Sequence, residues 1–234
     1  MKSNQITLNY SKVQIATAIA ILFHIIGLIG ILFFDKSYFI QTTSINLLLM
    51  FFLILYTQNG LNKTFFLFLS LTFLFGIVIE IIGTNTGYLF GNYTYGSVLG
   101  PSVKNVPLII GLNWFIVIYC CGISINLLLN KVVDQLTEIT ENKRPIVNLL
   151  SIVVDGATLA VLFDWLMEPV AIKLGFWSWG GDGSVPYFNY TCWFIASLIL
   201  LYIFHQLNFE KRNKFALHLL MIQVMFFLIL RTLL

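Results

Sequence analysis

Four acidic side chains stand inside long apolar runs: Glu80, Asp155, Asp164 and Glu168. An ionisable group at the centre of a spanning helix costs roughly 2.5–3.5 kcal/mol on insertion scales, so each marks a functional site by default. At roughly 100° per residue, Gly156, Ala160, Asp164 and Glu168 form one i, i+4 row, a small-residue packing stripe that ends in two acids. Gly76, Glu80, Gly83 and Gly87 follow at i, i+4, i+7 and i+11, so the glycines clear space beside the Glu80 carboxyl. Asp155 faces nearly the opposite way from Asp164 and reads equally well as a polar clamp to another helix. Away from water a carboxyl keeps its proton more firmly, and a second carboxyl nearby strengthens that hold on one of the two. An uncharged acid is then a proton donor.

Two of these acids open the same pattern. Glu80 is followed seven residues later by Gly87, and Glu168 seven residues later by Gly175; Val106-Pro107 precedes Trp114-Phe115 at the same spacing as Val185-Pro186 precedes Trp193-Phe194. The segments between, 84–106 and 173–186, are rich in Gly and aromatics and nearly free of charge. Water-exposed loops are more polar than this, so both are expected to fold back into the membrane boundary, where irregular backbone is tolerated only against protein or a cavity. Pro107 and Pro186 each suit the first turn of a helix, where a missing N–H costs nothing. The repeated unit is helix, re-entrant loop, helix, over about 65–128 and 147–207, and its copies would be related by an axis along the membrane normal.

The elements that must position these residues follow from composition. Of 234 residues, 59% are hydrophobic and 10% charged, with a mean hydropathy of +0.90. A soluble fold of this length cannot bury so much apolar surface. The solvent is a bilayer and the class all-α: a single polytopic domain, 1–234, of seven transmembrane helices near 13–34, 41–57, 65–83, 107–128, 147–170, 188–207 and 215–233. The first is too long for a signal h-region, and no small-x-small site follows Phe34. Nine Lys and Arg fall on one side and four on the other, which puts the N-terminus in the cytoplasm and the C-terminus outside. The loop 129–146, with Asp134, Glu138, Glu141, Lys143 and Arg144, is then a solvated cytoplasmic connector.

Several function classes fall away. A net charge of +3 without a basic run does not suit nucleic acid. Cys120, Cys121 and Cys192 all lie in apolar segments and offer neither a disulfide framework nor a metal knuckle. His24, His205 and His218 are scattered, without the clustering of a di-iron or zinc membrane enzyme, so no metal is expected. With neither a GxGxxG after a strand nor a P-loop, no flavin, nicotinamide or nucleotide cofactor is expected either. The sequons at Asn9, Asn62, Asn92 and Asn189 are short enough to occur by chance.

The block E-x2-G-x3-G-Y-L-F-G-N-Y-x-Y-x3-L-G-P-x4-V-P-x6-W from Glu80 to Trp114 resembles the carotenoid biosynthesis membrane protein family, of the bisanhydrobacterioruberin hydratase and carotenoid 1′-hydratase type. D-x3-E-P-V-A from Asp164, G-F-W-S-W from Gly175, and V-P-x2-N with Trp193 are similar to the same family, so the likeness covers about the central half of the chain. The chain departs from the pattern at Leu89, where the family tends to have Pro, and at Glu168, where it often has Asp. The resemblance implies cofactor-free addition of water across the terminal double bond of a carotenoid ψ end such as that of lycopene or γ-carotene, in a prokaryotic plasma membrane. Membrane lipids and other carotenoid-pathway enzymes are the remaining expected partners.

The residues supply parts for that chemistry. Protonating an alkene needs an acid held neutral until substrate arrives, for which Glu80 or Asp164 serves as donor and Glu168 as partner acid or water-orienting base. A tertiary carbocation needs stabilisation without a nucleophile that traps it. Aromatic faces such as Tyr88, Phe90, Tyr93, Tyr95, Trp114, Trp177, Trp179 and Trp193 offer about 2 kcal/mol or more each when desolvated. Asn113 and Asn189 can hold the water, while Gly83, Gly87, Gly91, Gly100, Pro101, Pro107, Gly175 and Pro186 shape the loops that close a tunnel. Two alternatives use the same acids: a lycopene-cyclase-like enzyme, in which an internal double bond captures the cation, and a non-catalytic carotenoid- or lipid-binding or proton-coupled transport protein.

Overall fold

The computed structural model describes residues 11–136 and 145–234. Helices α1 (Lys12–Phe33), α2 (Lys36–Gln41), α3 (Thr43–Thr57), α4 (Lys63–Thr86), α5 (Ile109–Leu136), α6 (Pro145–Leu150), α7 (Gly156–Lys173), α8 (Tyr187–Gln206) and α9 (Lys214–Leu233) carry the fold, with one π-helical turn, Ser151–Asp155, joining α6 to α7. Six helical stretches of 20 to 28 residues are long and apolar enough to cross a membrane. The chain is therefore an all-α polytopic membrane protein.

The expected second span, 41–57, takes a different form. Helix α3 covers 43–57 of it, with the six-residue α2 ahead of it beyond Thr42, and at 1.5 Å per residue the 15-residue α3 is about 22 Å long, short of a 30 Å hydrocarbon core. The expected connector at 129–146 is also shorter than predicted. No Gly or Pro stands between Ile123 and Arg144, so nothing in the sequence stops α5 before Leu136. Glu138, Glu141, Lys143 and Arg144 of that connector, with Lys2 and the Asn9 sequon, lie outside the described residues.

Helix α5 is the axis of the bundle. Trp114 to Cys121 and Ile123 are buried along it, and α3, α4, α7, α8 and α9 all pack against it. Helix α1 packs on α9 and on the α2–α3 pair at the periphery. Helix α4 begins at Asn62, whose side chain accepts from the Phe65 N–H, and ends at Gly87. There a φ of +68° lets the Gly87 N–H reach the Gly83 carbonyl. Gly175, at φ +72°, turns the chain out of α7 in the matched position.

The two Gly- and aromatic-rich loops contain short strands that an all-α reading did not anticipate. β1 (Tyr93–Tyr95) in the first loop pairs antiparallel with β4 (Trp177–Trp179) in the second. β2 (Ser102–Val103) and β3 (Val106–Pro107) form a hairpin whose turn residues Lys104 and Asn105 both have positive φ, the twist a two-residue hairpin favours. Pro107 therefore lies on β3, ahead of α5, and not in the helix's first turn; the end of a two-residue ladder tolerates its missing N–H. Pro186 does stand immediately before α8.

Candidate active site

Glu80, on the last turns of α4, is 5% exposed. Tyr93 and Tyr95 donate their hydroxyls to Oε2 at 2.5 and 2.7 Å, and Trp114 donates Nε1–H to Oε1 at 2.9 Å. The expected space beside the carboxyl is filled by two of these donors. A Cβ on Gly76 would stand 2.6 Å from the Trp114 ring, and one on Gly83 would stand 2.8 Å from the Tyr93 hydroxyl. Burial, with Glu80 beside it, holds the Tyr93 phenol far above its ordinary range, so it stays an O–H donor.

Glu168, 2% exposed on α7, has a parallel arrangement. Trp177 and Trp179 donate Nε1–H to Oε2 at 2.9 and 3.1 Å. The Asn189 amide, from α8, stands 3.4 Å from Glu168 Oε1 and donates at 2.9 Å to Oδ2 of Asp164. Asp164 is 1% exposed, and its Oδ1 has no hydrogen-bond partner among the described residues. Pro169, next to Glu168, has no N–H for the Trp165 carbonyl one turn back. Arg231 of α9 supplies the missing donor at 2.9 Å and stacks on the Trp165 ring.

The strands explain this geometry. Residues i and i+2 of a strand share a face, so each strand directs two aromatic donors at one glutamate. The ladder sets Tyr93 opposite Trp179 and Tyr95 opposite Trp177, with ring centroids 5.1 and 6.0 Å apart. Trp114 and Trp193, which hold the same place in the two sequence blocks, stack face to face at 3.9 Å and 10°.

Glu80, Asp164 and Glu168 thus line one cavity, together with Phe90, Tyr93, Tyr95, Asn113, Trp114, Trp177, Trp179, Asn189 and Trp193. Ile110 and Met167 complete its wall; as single apolar residues in apolar helices they carried no signal in the sequence. Tyr88 is not part of it, being 81% exposed. Asp155 is exposed on the π-helical turn, away from the cluster. Gly87 and Gly175 cap α4 and α7, and Gly91 packs against Pro186. Gly100 (φ +86°) and Pro101, whose carbonyl accepts from Leu108 N–H, shape the approach to β2.

The cavity holds about 30 Å³. That is room for a water molecule or two and too little for an isoprenoid end group: the rings expected to line a tunnel fill it instead. Among the described residues, no three His, Cys, Asp or Glu side chains gather closely enough to hold a metal ion. His24 pairs through Nδ1 with the Ala20 carbonyl at 2.7 Å, and His218 with Thr17 Oγ1 at 2.9 Å. Chemically, the arrangement offers three carboxyl groups, one with an unengaged oxygen, around a water-sized space walled by rings.

An apolar helical bundle with this buried acid cluster defines a class of integral membrane protein. Within that class the chain belongs to the carotenoid biosynthesis protein family, whose model matches residues 40–234. It is similar to bisanhydrobacterioruberin hydratase of Haloarcula japonica, at 29% identity over 136 residues, 56% of this chain. The match spans 41% of that relative's length. No solved structure matches the chain.

Proposed function

We propose that the protein is a cofactor-independent carotenoid hydratase, adding water to the terminal C=C of an acyclic ψ end group. The observation that carries this reading is the convergence of Glu80, Asp164 and Glu168 on one water-sized cavity walled by aromatic rings. Membership of the carotenoid biosynthesis family and the likeness to a hydratase support it.

The hydrogen bonds suggest roles. An indole N–H only donates, so Oε1 of Glu80 and Oε2 of Glu168 must present lone pairs. Glu80 meets three donors, a setting for a charged carboxylate that balances a nearby cation. Asp164, with Oδ1 unengaged, is the proton donor. Its proton adds to the less substituted alkene carbon, leaving a tertiary carbocation between the aromatic faces. Water attacks the tertiary cationic carbon, and Glu168 takes the proton that water releases. The same proton returns to Asp164 through the cavity, so acid and base are both restored and the sum is alkene plus water giving a tertiary alcohol.

A cavity that fits water favours hydration over the lycopene-cyclase-like alternative, in which no water is admitted. The end group enters by displacing rings. We further propose that α2 and α3 together make a seventh crossing, that the loops re-enter the membrane boundary, and that the units 65–128 and 147–207 are related by a two-fold axis through the β1–β4 ladder and the Trp114–Trp193 stack. The N-terminus is then cytoplasmic and the membrane a prokaryotic plasma membrane.

Co-expression with a lycopene- or γ-carotene-producing pathway tests the function. Pigments should gain the mass of one water per hydrated end, and Glu80→Gln should abolish the gain while the protein remains folded in detergent. Pigments of unchanged mass but altered absorption would instead establish cyclisation, and full activity of Glu80→Gln would remove Glu80 from the mechanism.

A further inference from the structure

A second and larger pocket lies between α1, α2, α3 and α9. Its volume of about 300 Å³ falls at the lower end of the range for small-molecule sites, roughly 300–1,000 Å³. Phe23, Ile26, Phe39, Phe226 and Phe227 make its wall apolar. Phe23 and Ile26 are exposed on the outer face of α1, so the pocket opens sideways, in the direction from which a lipid-soluble molecule arrives.

Two amides line this apolar space. Gln223 of α9 is 6% exposed, and its Oε1 has no hydrogen-bond partner among the described residues; Asn46 of α3 has a buried Oδ1 in the same condition. Of the other polar side chains there, His24 Nδ1 pairs with the Ala20 carbonyl and Thr42 Oγ1 with the Phe39 carbonyl, whereas the Tyr38 and Thr43 hydroxyls line the pocket without a hydrogen bond among the described residues. An unpaired buried amide oxygen is costly, so native structures satisfy such groups. Two of them at one apolar pocket leave a place for a donor that the described residues do not fill.

We propose that this pocket binds an apolar chain ending in a hydroxyl, with the hydroxyl held by Asn46 and Gln223. A hydroxyl donates one hydrogen bond and accepts others, so it meets an amide in either orientation, and the rest of the molecule lies along the phenylalanines toward the lateral opening. A plain hydrocarbon fills the wall but leaves both amide oxygens unpaired. The pocket is separate from the acid cavity: Phe176 lines the first and its neighbour Trp177 the second. The proposal does not depend on hydration at the acids.

Equilibrium binding of tritiated farnesol to the detergent-solubilised full chain tests it, with the hydrocarbon farnesene and the straight-chain hexadecanol as competitors. One farnesol per chain should bind, and farnesene should compete roughly tenfold less well, the discrimination expected when a buried polar group loses its partner. Hexadecanol competing as well as farnesol would identify alkyl alcohols of the membrane as a source, whereas weak competition would restrict the ligand to isoprenoid alcohols; either result supports a hydroxyl site. Gln223→Leu and Asn46→Leu should each weaken farnesol binding roughly tenfold and leave farnesene unaffected. Asp164→Asn should leave farnesol binding unchanged. Equal binding of farnesol and farnesene to the unsubstituted protein would overturn the proposal without reference to any variant. So would loss of farnesol binding in Asp164→Asn but not in Gln223→Leu, which would put the probe in the acid cavity.

Discussion

The three acids of the cavity differ in what their oxygens are free to do. Asp164 accepts one bond, from Asn189, and keeps Oδ1 unengaged, whereas Glu80 is met by three donors and Glu168 by two indoles with the Asn189 amide close by. In the proposed hydration the proton therefore comes from Asp164. Asp164→Asn should lower hydration at least a thousandfold, in the upper half of the roughly 10²–10⁴ range that positioned acids contribute. Glu168→Gln, which spares the donor but removes the base, should cost roughly a hundredfold and leave exchange of substrate protons with heavy water measurable. Turnover by purified membranes compares the two variants. Equal loss of turnover and of proton exchange in both would merge the two roles.

At the scale of elements, two three-residue strands position the chemistry. Y-T-Y and W-S-W each carry rings at i and i+2, so one face of the β1–β4 ladder presents four donors to two glutamates. The rings also crowd the site, since Trp114 and Trp193, both in the cavity wall, lie 3.9 Å apart. A stacked indole pair gives an exciton couplet in circular dichroism. Saturating a carotenoid-free preparation with acyclic substrate should diminish that couplet, and Trp193→Phe should remove it in the absence of ligand. A couplet unchanged by substrate would mean that the end group never enters between the rings. Much of this element was legible beforehand: acids in apolar runs are costly enough to stand out, and the matched V-P and W-F spacings flagged Trp114 and Trp193 together. The strands were missed because a three-residue alternation is brief beside the apolar helices around it, although Y-T-Y and W-S-W have the period of two that marks a strand. The cavity's size was not legible at all, because ring volume against helix spacing is set by contacts such as Gly76 on Trp114, which only the fold brings together.

For the whole molecule, spanning follows from composition and is carried by six helices of sufficient length. Helix α3 lies where the run at 41–57 placed it, but its 15 residues are too few to cross the core alone. If α2 and α3 together complete a seventh crossing, the chain's ends lie on opposite sides. A phosphatase reporter fused after Leu234 should then be active outside the cytoplasm, and a reporter active only in the cytoplasm would reject the odd number of crossings. The bundle also explains why so many aromatic donors are needed: with few charged residues in the interior, the carboxyl groups are satisfied by indole and phenol hydrogens, which bring apolar rings with them.

Buried acids that add the elements of water to a polyene end must draw both the new oxygen and the new hydrogen from solvent. The most direct measurement is to supply lycopene to purified membranes in water enriched in heavy oxygen and, separately, in heavy water. Hydration at these acids should give one heavy oxygen in each new hydroxyl and one deuterium on the adjacent carbon, both absent with Asp164→Asn. A hydroxyl carrying oxygen from air, or a cyclised product that takes up deuterium but no oxygen, would contradict it.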